Sequence, residues 1–141
     1  MSFERLMSIA GTGMNAQLIR MNTTASNLAN AGVVAGNDQG AFRAKRPVFE
    51  TLVAGAMAGN SGSFAGGVRV NEIINDPKPV KQVFEPNNPI ADENGYVFAS
   101  NVSEIEELIE MMDASRAYQN NVEVISTAKQ LVSRTLEVIK V

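Results

Sequence analysis

Residues 101–141 read NVSEIEELIEMMDASRAYQNNVEVISTAKQLVSRTLEVIKV, and their periodicity decides the fold. Met111, Tyr118, Ile125, Val132 and Ile139 recur at every seventh position. Leu108, Val122 and Leu136 stand three positions ahead of three of them. That spacing places these side chains on one face of an α-helix. A helix of about 40 residues is roughly 60 Å long at 1.5 Å rise per residue. It exceeds the diameter of a domain of this size, so part of it must project or be covered by other chains. Asn101 and Glu104 have capping-box spacing and mark the expected start. Glu104, Glu106, Glu107 and Glu110 crowd the first turns, while Lys129, Arg134 and Lys140 sit toward the end. This order complements the helix dipole, which explains the acids as a helix start rather than a cation site or an acid–base pair. Ser115 and Lys129 interrupt the leading apolar row. They either fix the register of a partner at some cost, or are a tolerated serine and a lysine whose stem snorkels.

The other end carries the same signal. Met7, Met14, Met21 and Leu28 also recur every seventh residue, within a segment 3–31 that reads as a helix. Ser2 is a candidate N-cap, Glu4 favours the positive end of the dipole, and Ala31-Gly32 is the expected stop. This helix is intrinsically weak. Gly11 and Gly13 each cost up to about 1 kcal/mol relative to alanine, and its asparagines and threonines also disfavour it. It needs a partner surface. Its small residues Ala10, Gly11, Gly13, Ala16, Ala25 and Ala29 would let another helix approach closely. Periodicity alone leaves open whether it is a core helix or an assembly element.

The middle is different. Residues 32–41 read as a loop, and 42–53 as extended, with Pro47 pointing to an edge or irregular position. Residues 54–67, AGAMAGNSGSFAGG, read as a flexible loop; they lack the Gly-Lys-Ser/Thr ending of a phosphate loop. Val68 to Ile74 and Val80 to Phe84 read as strands. Asn94-Gly95 is a two-residue turn signal, expected to join a strand ending near Ile90 to one at Tyr96, Val97 and Phe98. The expected fold is therefore α+β. A discontinuous helical domain of residues 1–31 and 101–141, paired like a coiled coil, encloses a small irregular β-rich region over 32–100.

Composition narrows the function. The 141 residues include no cysteine, histidine or tryptophan, and the formal net charge is -3. Disulfides, thiolate metal sites and histidine-dependent triads are excluded. The net charge gives no drive toward nucleic acid or anionic lipid, and the run Arg43, Lys45, Arg46 reads as a solvated strand edge. Met1 to Met14 lacks the pattern of a cleavable secretory signal, and no stretch approaches the roughly 18 apolar residues of a membrane span. The expectation is a structural protein: not an enzyme, with no cofactor, metal, small-molecule substrate, nucleic acid or membrane insertion.

Four segments carry a resemblance: 22–31 (NTTASNLANA), 40–49 (GAFRAKRPVF), 88–97 (NPIADENGYV) and 101–128. In this order the chain resembles the bacterial flagellar rod and hook axial proteins, and its proximal-rod members most. The run Asn27, Leu28, Ala29, Asn30 is the motif shared across that family. The resemblance implies a torque-transmitting hollow rod in the periplasmic part of the basal body. Its subunits are exported largely unfolded through the flagellum's own type III apparatus, without a cleavable signal. The implied partners are copies of the chain and other rod proteins. The assembly interface is expected at Met7, Met14, Met21 and Leu28 facing Leu108, Met111, Tyr118, Val122, Ile125, Val132, Leu136 and Ile139. Asn27 and Asn30 should bond local backbone or a neighbouring subunit. The competing reading is a cytoplasmic helical-hairpin adaptor or secretion chaperone.

Overall fold

A computed structural model of the protein describes residues 3–52 and 66–139. Residues 54–65 of the glycine-rich stretch, the candidate cap Ser2, and Lys140 lie outside the described residues. Helix α1 spans Phe3–Ala29 and helix α2 spans Glu104–Ile139. Between them run β1 (Val34–Ala35), β2 (Lys45–Leu52), β3 (Gly67–Asn75), β4 (Lys81–Phe84) and β5 (Tyr96–Ala99). The architecture is α+β, with long paired terminal helices and small antiparallel sheets in the middle.

The strands form two sheets, β1-β5-β4 and β2-β3. Pro47 lies in β2 opposite Ile73, and the ladder shifts register one residue later, between Val48 and Phe49. A two-stranded ribbon tolerates this because both strands are edges. Strand β1 falls in the segment expected to be loop. Its two residues pair with Phe98 and Ala99, too short a strand to carry a periodic signal. The turn at Asn94-Gly95 is present, with Gly95 at φ +81°. However, it does not follow a strand near Ile90. Strand β4 ends at Phe84, and Pro86 and Pro89, which cannot donate to a ladder, keep the next residues in a loop. Asp92 organises its end, its Oδ1 accepting from the Asn94 and Tyr96 amides at 2.9 and 2.8 Å. The Phe84 and Tyr96 rings then meet at 5.2 Å.

Helix α2 starts at Glu104 rather than at Asn101. The Asn101 side chain is engaged elsewhere, accepting from the Ala44 amide at 2.7 Å and donating to the Lys78 carbonyl at 2.8 Å. The first helical turn closes instead from the Glu107 amide to the Ser103 carbonyl, at 3.0 Å. At the end of α1 the backbone tightens. The Asn30 and Ala31 amides bond three residues back, to Asn27 and Leu28, at 3.1 and 3.2 Å.

The helices pair antiparallel. Asn27 meets Glu107. Two heptads further on, Gly13 lies against Asn121, so close that a Cβ at Gly13 would stand 3.0 Å from the Asn121 amide nitrogen. One more heptad brings Leu6 and Ala128 to the same groove. The α2 side of this seam is the row Glu107, Ala114, Asn121, Ala128, whose side chains are buried except for the partly covered Asn121. On α1 the buried residues are Ala10, Ala16, Thr23, Thr24 and Asn27. Small and polar side chains thus make the intrachain contact. Helix α1 also packs on the β2-β3 ribbon, where the Thr12 hydroxyl accepts from the Val68 amide at 3.3 Å.

Candidate functional site

A polar joint gathers where α1 ends, β2 begins and α2 begins. Asn27 is fully buried, as is Glu107. The Asn27 amide binds one residue of β2 twice: Oδ1 accepts from the Lys45 amide at 2.8 Å, and Nδ2 donates to the Lys45 carbonyl at 2.9 Å. This reproduces the two-bond exchange of an antiparallel strand pair, with a side chain in place of the neighbouring strand. A backbone N–H can only donate, which fixes the oxygen of the amide on that side. Nδ2 also donates to Glu107 Oε2 at 2.9 Å.

The other carboxylate oxygen of Glu107 lies 2.8 Å from Arg46 Nη1. Arg46 Nε lies 3.5 Å from Asp76 Oδ2. Asp76 in turn donates its backbone amide to Ala44 at 2.7 Å and accepts from the Lys78 amide at 2.9 Å. Asn101 closes the ring through Ala44 and Lys78. Ser100 adds a hydroxyl donated to the Ala31 carbonyl, at 2.7 Å. Residues 44–46 are therefore held on both flanks by side chains from the end of α1, the turn after β3 and the approach to α2. A buried ion pair of this kind contributes more to a unique geometry than to net stability, because desolvation offsets much of the attraction.

Two sequence expectations change here. The run Arg43, Lys45, Arg46 is not a simple solvated edge. Arg46 neutralises a buried carboxylate, and Arg43 pairs with Asp38 at 3.1 Å. Nor is Glu107 one more helix-start acid, since its side chain has no solvent exposure. Within the family motif, Leu28 and Asn30 are half-buried and Ala29 is exposed. Asn30 donates to the Ser26 carbonyl at 2.8 Å, a local bond that closes the helix. Two turns of α1 before Asn27, Arg20 Nε donates to Glu110 at 2.9 Å, a second link between the helices.

The apolar rows lie beside the seam. Met7, Met14, Met21, Met111, Tyr118 and Ile125 are half-buried, whereas Leu108, Val122, Val132 and Leu136 are exposed. The Ile139 side chain lies outside the described residues. Neither row is completed within the single chain. A second stripe, Ile105, Leu108, Ile109 and Met112, is exposed on the first three turns of α2, and Leu131 and Val138 are exposed near its end. Its i, i+3, i+4, i+7 spacing was present in the sequence, but a search for strict heptads passes over it.

Among the described residues, the buried apolar side chains are six alanines, Val97 and Val102; no leucine, isoleucine, methionine or phenylalanine is buried. The cleft of about 580 Å³ beside the joint, lined by Arg20, Arg46, Phe49 and Ile109 among others, is open. Among the described residues no cluster of three or more acids could hold a metal ion, and no helix is long and apolar enough to cross a membrane.

The sequence also matches known proteins. Residues 7–36 match the family model described as "Flagella basal body rod protein", and 93–138 match "Flagellar basal body rod FlgEFG protein C-terminal". The chain is 46% identical over 136 residues to the flagellar basal-body rod protein FlgC of Yersinia enterocolitica, covering 96% of this chain and 97% of that protein. It is 43% identical to the protein of that name from Salmonella typhimurium, with the same coverage. For Aquifex aeolicus the identity is 38%, over 93% of this chain and 92% of the relative.

Proposed function

The chain belongs to the FlgC family of flagellar basal-body rod proteins and is a structural subunit of the rod; from that premise we propose that it completes its fold only on joining a hollow helical tube, the proximal rod, that transmits motor torque. The chain travels largely unfolded through the flagellum's own type III export apparatus to the periplasm. It polymerises there with its own copies and with other rod proteins. Its helical hairpin (residues 1–31 with 101–141) forms the inner wall, and residues 32–100 the outer layer.

The observation that supports this reading is the missing core. Each large apolar side chain that moves from water to a buried position contributes roughly 1.5–3 kcal/mol. Among the described residues all of those side chains except Val97 and Val102 stay half-buried or exposed, and the seam between the helices is built on alanine, glycine, threonine, asparagine and Glu107. Such a hairpin has little to offset its ordering entropy until neighbours cover its rows. Head-to-tail contacts that do not close then extend the assembly into a tube.

Ile125→Asp tests the proposed face. Ile125 is half-buried on α2, in the heptad row of Met111 and Tyr118. An aspartate there places an unpaired charge in a seam closed by neighbours, at a cost of several kcal/mol. Cells carrying the change should export the protein normally, build no rod beyond that point, and fail to swim. Intact rods would show that this row does not face a neighbour.

A further inference from the structure

The sequence holds a single Asn-Gly pair, Asn94-Gly95, in the turn before β5. Such a pair can modify itself. The Gly95 backbone nitrogen, after losing its proton to hydroxide, attacks the side-chain carbonyl carbon of Asn94. Glycine has no Cβ to hinder this approach. A bond forms from Gly95 N to Asn94 Cγ, the Cγ–Nδ2 bond breaks, and Nδ2 takes a proton from water and leaves as ammonia. Water then opens the cyclic imide. Opening at Cγ leaves aspartate; opening at the main-chain carbonyl leaves isoaspartate, with the backbone rerouted through the side chain. The reaction consumes only water. Asn94 is exposed, and its side-chain amide has no hydrogen-bond partner among the described residues.

The fold holds the attacking atom away. Gly95 donates its amide to the Asp92 carbonyl at 2.9 Å, closing a turn over residues 92–95. Apart from glycines, no described residue has a positive φ, so Glu93 and Asn94 make this a type I turn. Asn94 ψ is then about 0°, and the Gly95 nitrogen must swing about 120° around that bond to come over the side chain. Asp92 resists the swing from both ends of the turn. Its Oδ1 accepts from the Asn94 and Tyr96 amides at 2.9 and 2.8 Å, and its own amide donates to the Tyr96 carbonyl at 2.9 Å. The Gly95 carbonyl accepts from the Glu85 amide, also at 2.9 Å. We propose that Asn94 is a self-modification site that folding switches off, with Asp92 as the residue that holds the Gly95 nitrogen out of reach. Chains that stay unfolded lose the Asn94 amide, and folded chains keep it. The isoaspartate product cannot regain the turn. It adds a backbone atom where a Cβ on Gly95 would already lie 3.0 Å from the Phe84 ring and 3.2 Å from Pro86. A chain left unfolded is thereby marked against later folding. The site depends on the turn alone and not on the rod assignment.

The test compares two states of the full chain. Basal bodies isolated from swimming cells and the purified chain in urea are incubated side by side at mildly alkaline pH. Mass spectrometry follows the peptide that carries Asn94. In urea that peptide should steadily gain the mass of an amide-to-acid exchange, with isoaspartate among the products; in basal bodies it should stay unchanged over the same time. Asp92→Ala, produced alongside the native chain so that rods still form, is read in the same basal bodies by its different peptide mass. There its Asn94 should convert about tenfold faster than the native one, since two bonds to a carboxylate are gone. In urea the two should convert equally. Asp92→Asn, which retains an acceptor, should stay close to the native chain in basal bodies. Equal conversion of the native chain in basal bodies and in urea would overturn the proposal, as would no conversion in urea. Equal rates for the native chain and Asp92→Ala within basal bodies would overturn it too, since the protection would then come from neighbours rather than from the turn. If Asp92→Ala is excluded from rods, the two rates of the native chain decide alone: protection in basal bodies supports the site, and its absence overturns it.

Discussion

Glu107→Ala is expected to abolish rod assembly and swimming, although the side chain touches no solvent and lies outside the apolar rows. Two effects combine. The Arg46 guanidinium loses the carboxylate at 2.8 Å and keeps only the longer approach to Asp76, at 3.5 Å. The Asn27 amide loses its acceptor on α2. Removing one partner of a buried pair costs roughly 3–5 kcal/mol. About 3 kcal/mol is the better expectation here, since the Arg46 side chain is 32% exposed and regains some hydration. That is a large share of the stability of a chain this small. Glu107→Gln keeps the volume and removes the charge, so its effect should be smaller. The swimming of cells carrying each variant, with a count of the rods they assemble, measures both. Normal rods and swimming with Glu107→Ala would show that the joint does not hold the subunit together.

The second large effect is expected from Asn27→Asp, a change of one atom. The carboxylate still accepts from the Lys45 amide, but it meets the Lys45 carbonyl and Glu107 Oε2 with oxygen where the native amide donates to both. Two like charges about 4 Å apart repel by about 4 kcal/mol at an effective dielectric of 20. Rods should fail to form. Combining the change with Glu107→Gln turns one contact around, because residue 107 then carries the donor and residue 27 the acceptor. Part of the swimming should return, but not all, since the Lys45 carbonyl still lacks its donor. No recovery in the double variant would mean that the 27–107 contact is incidental to the joint.

Sequence periodicity was enough to locate both helices, because seven-residue recurrence over nearly four heptads of α1 and five of α2 has no competing explanation. Pro47, the Asn94-Gly95 turn and the runs of β-branched residues located most of the strands. The joint was less legible for a physical reason. Asn27 bonds to residues 18 and 80 positions away, and no local pattern encodes such a distance. Glu107 was hidden among acids that the helix dipole already accounts for. Heptads also report only which residues share a face. They do not say which face meets its partner within the chain and which meets another molecule. Here the intrachain face is the inconspicuous one, built on Gly13, Ala114, Asn121 and Ala128. The rows of Met7, Met14, Met21, Met111 and Ile125 beside it are only half-buried.

That division between faces is open to one direct measurement. Helices α1 and α2 contain 27 and 36 of the 141 residues in the completed fold, so a fully folded subunit is close to half helical. Circular dichroism of the purified chain across a wide concentration range should show far less helix in dilute solution, rising as the chains associate. A dilute monomer that holds its full helix content, independent of concentration, would contradict the account.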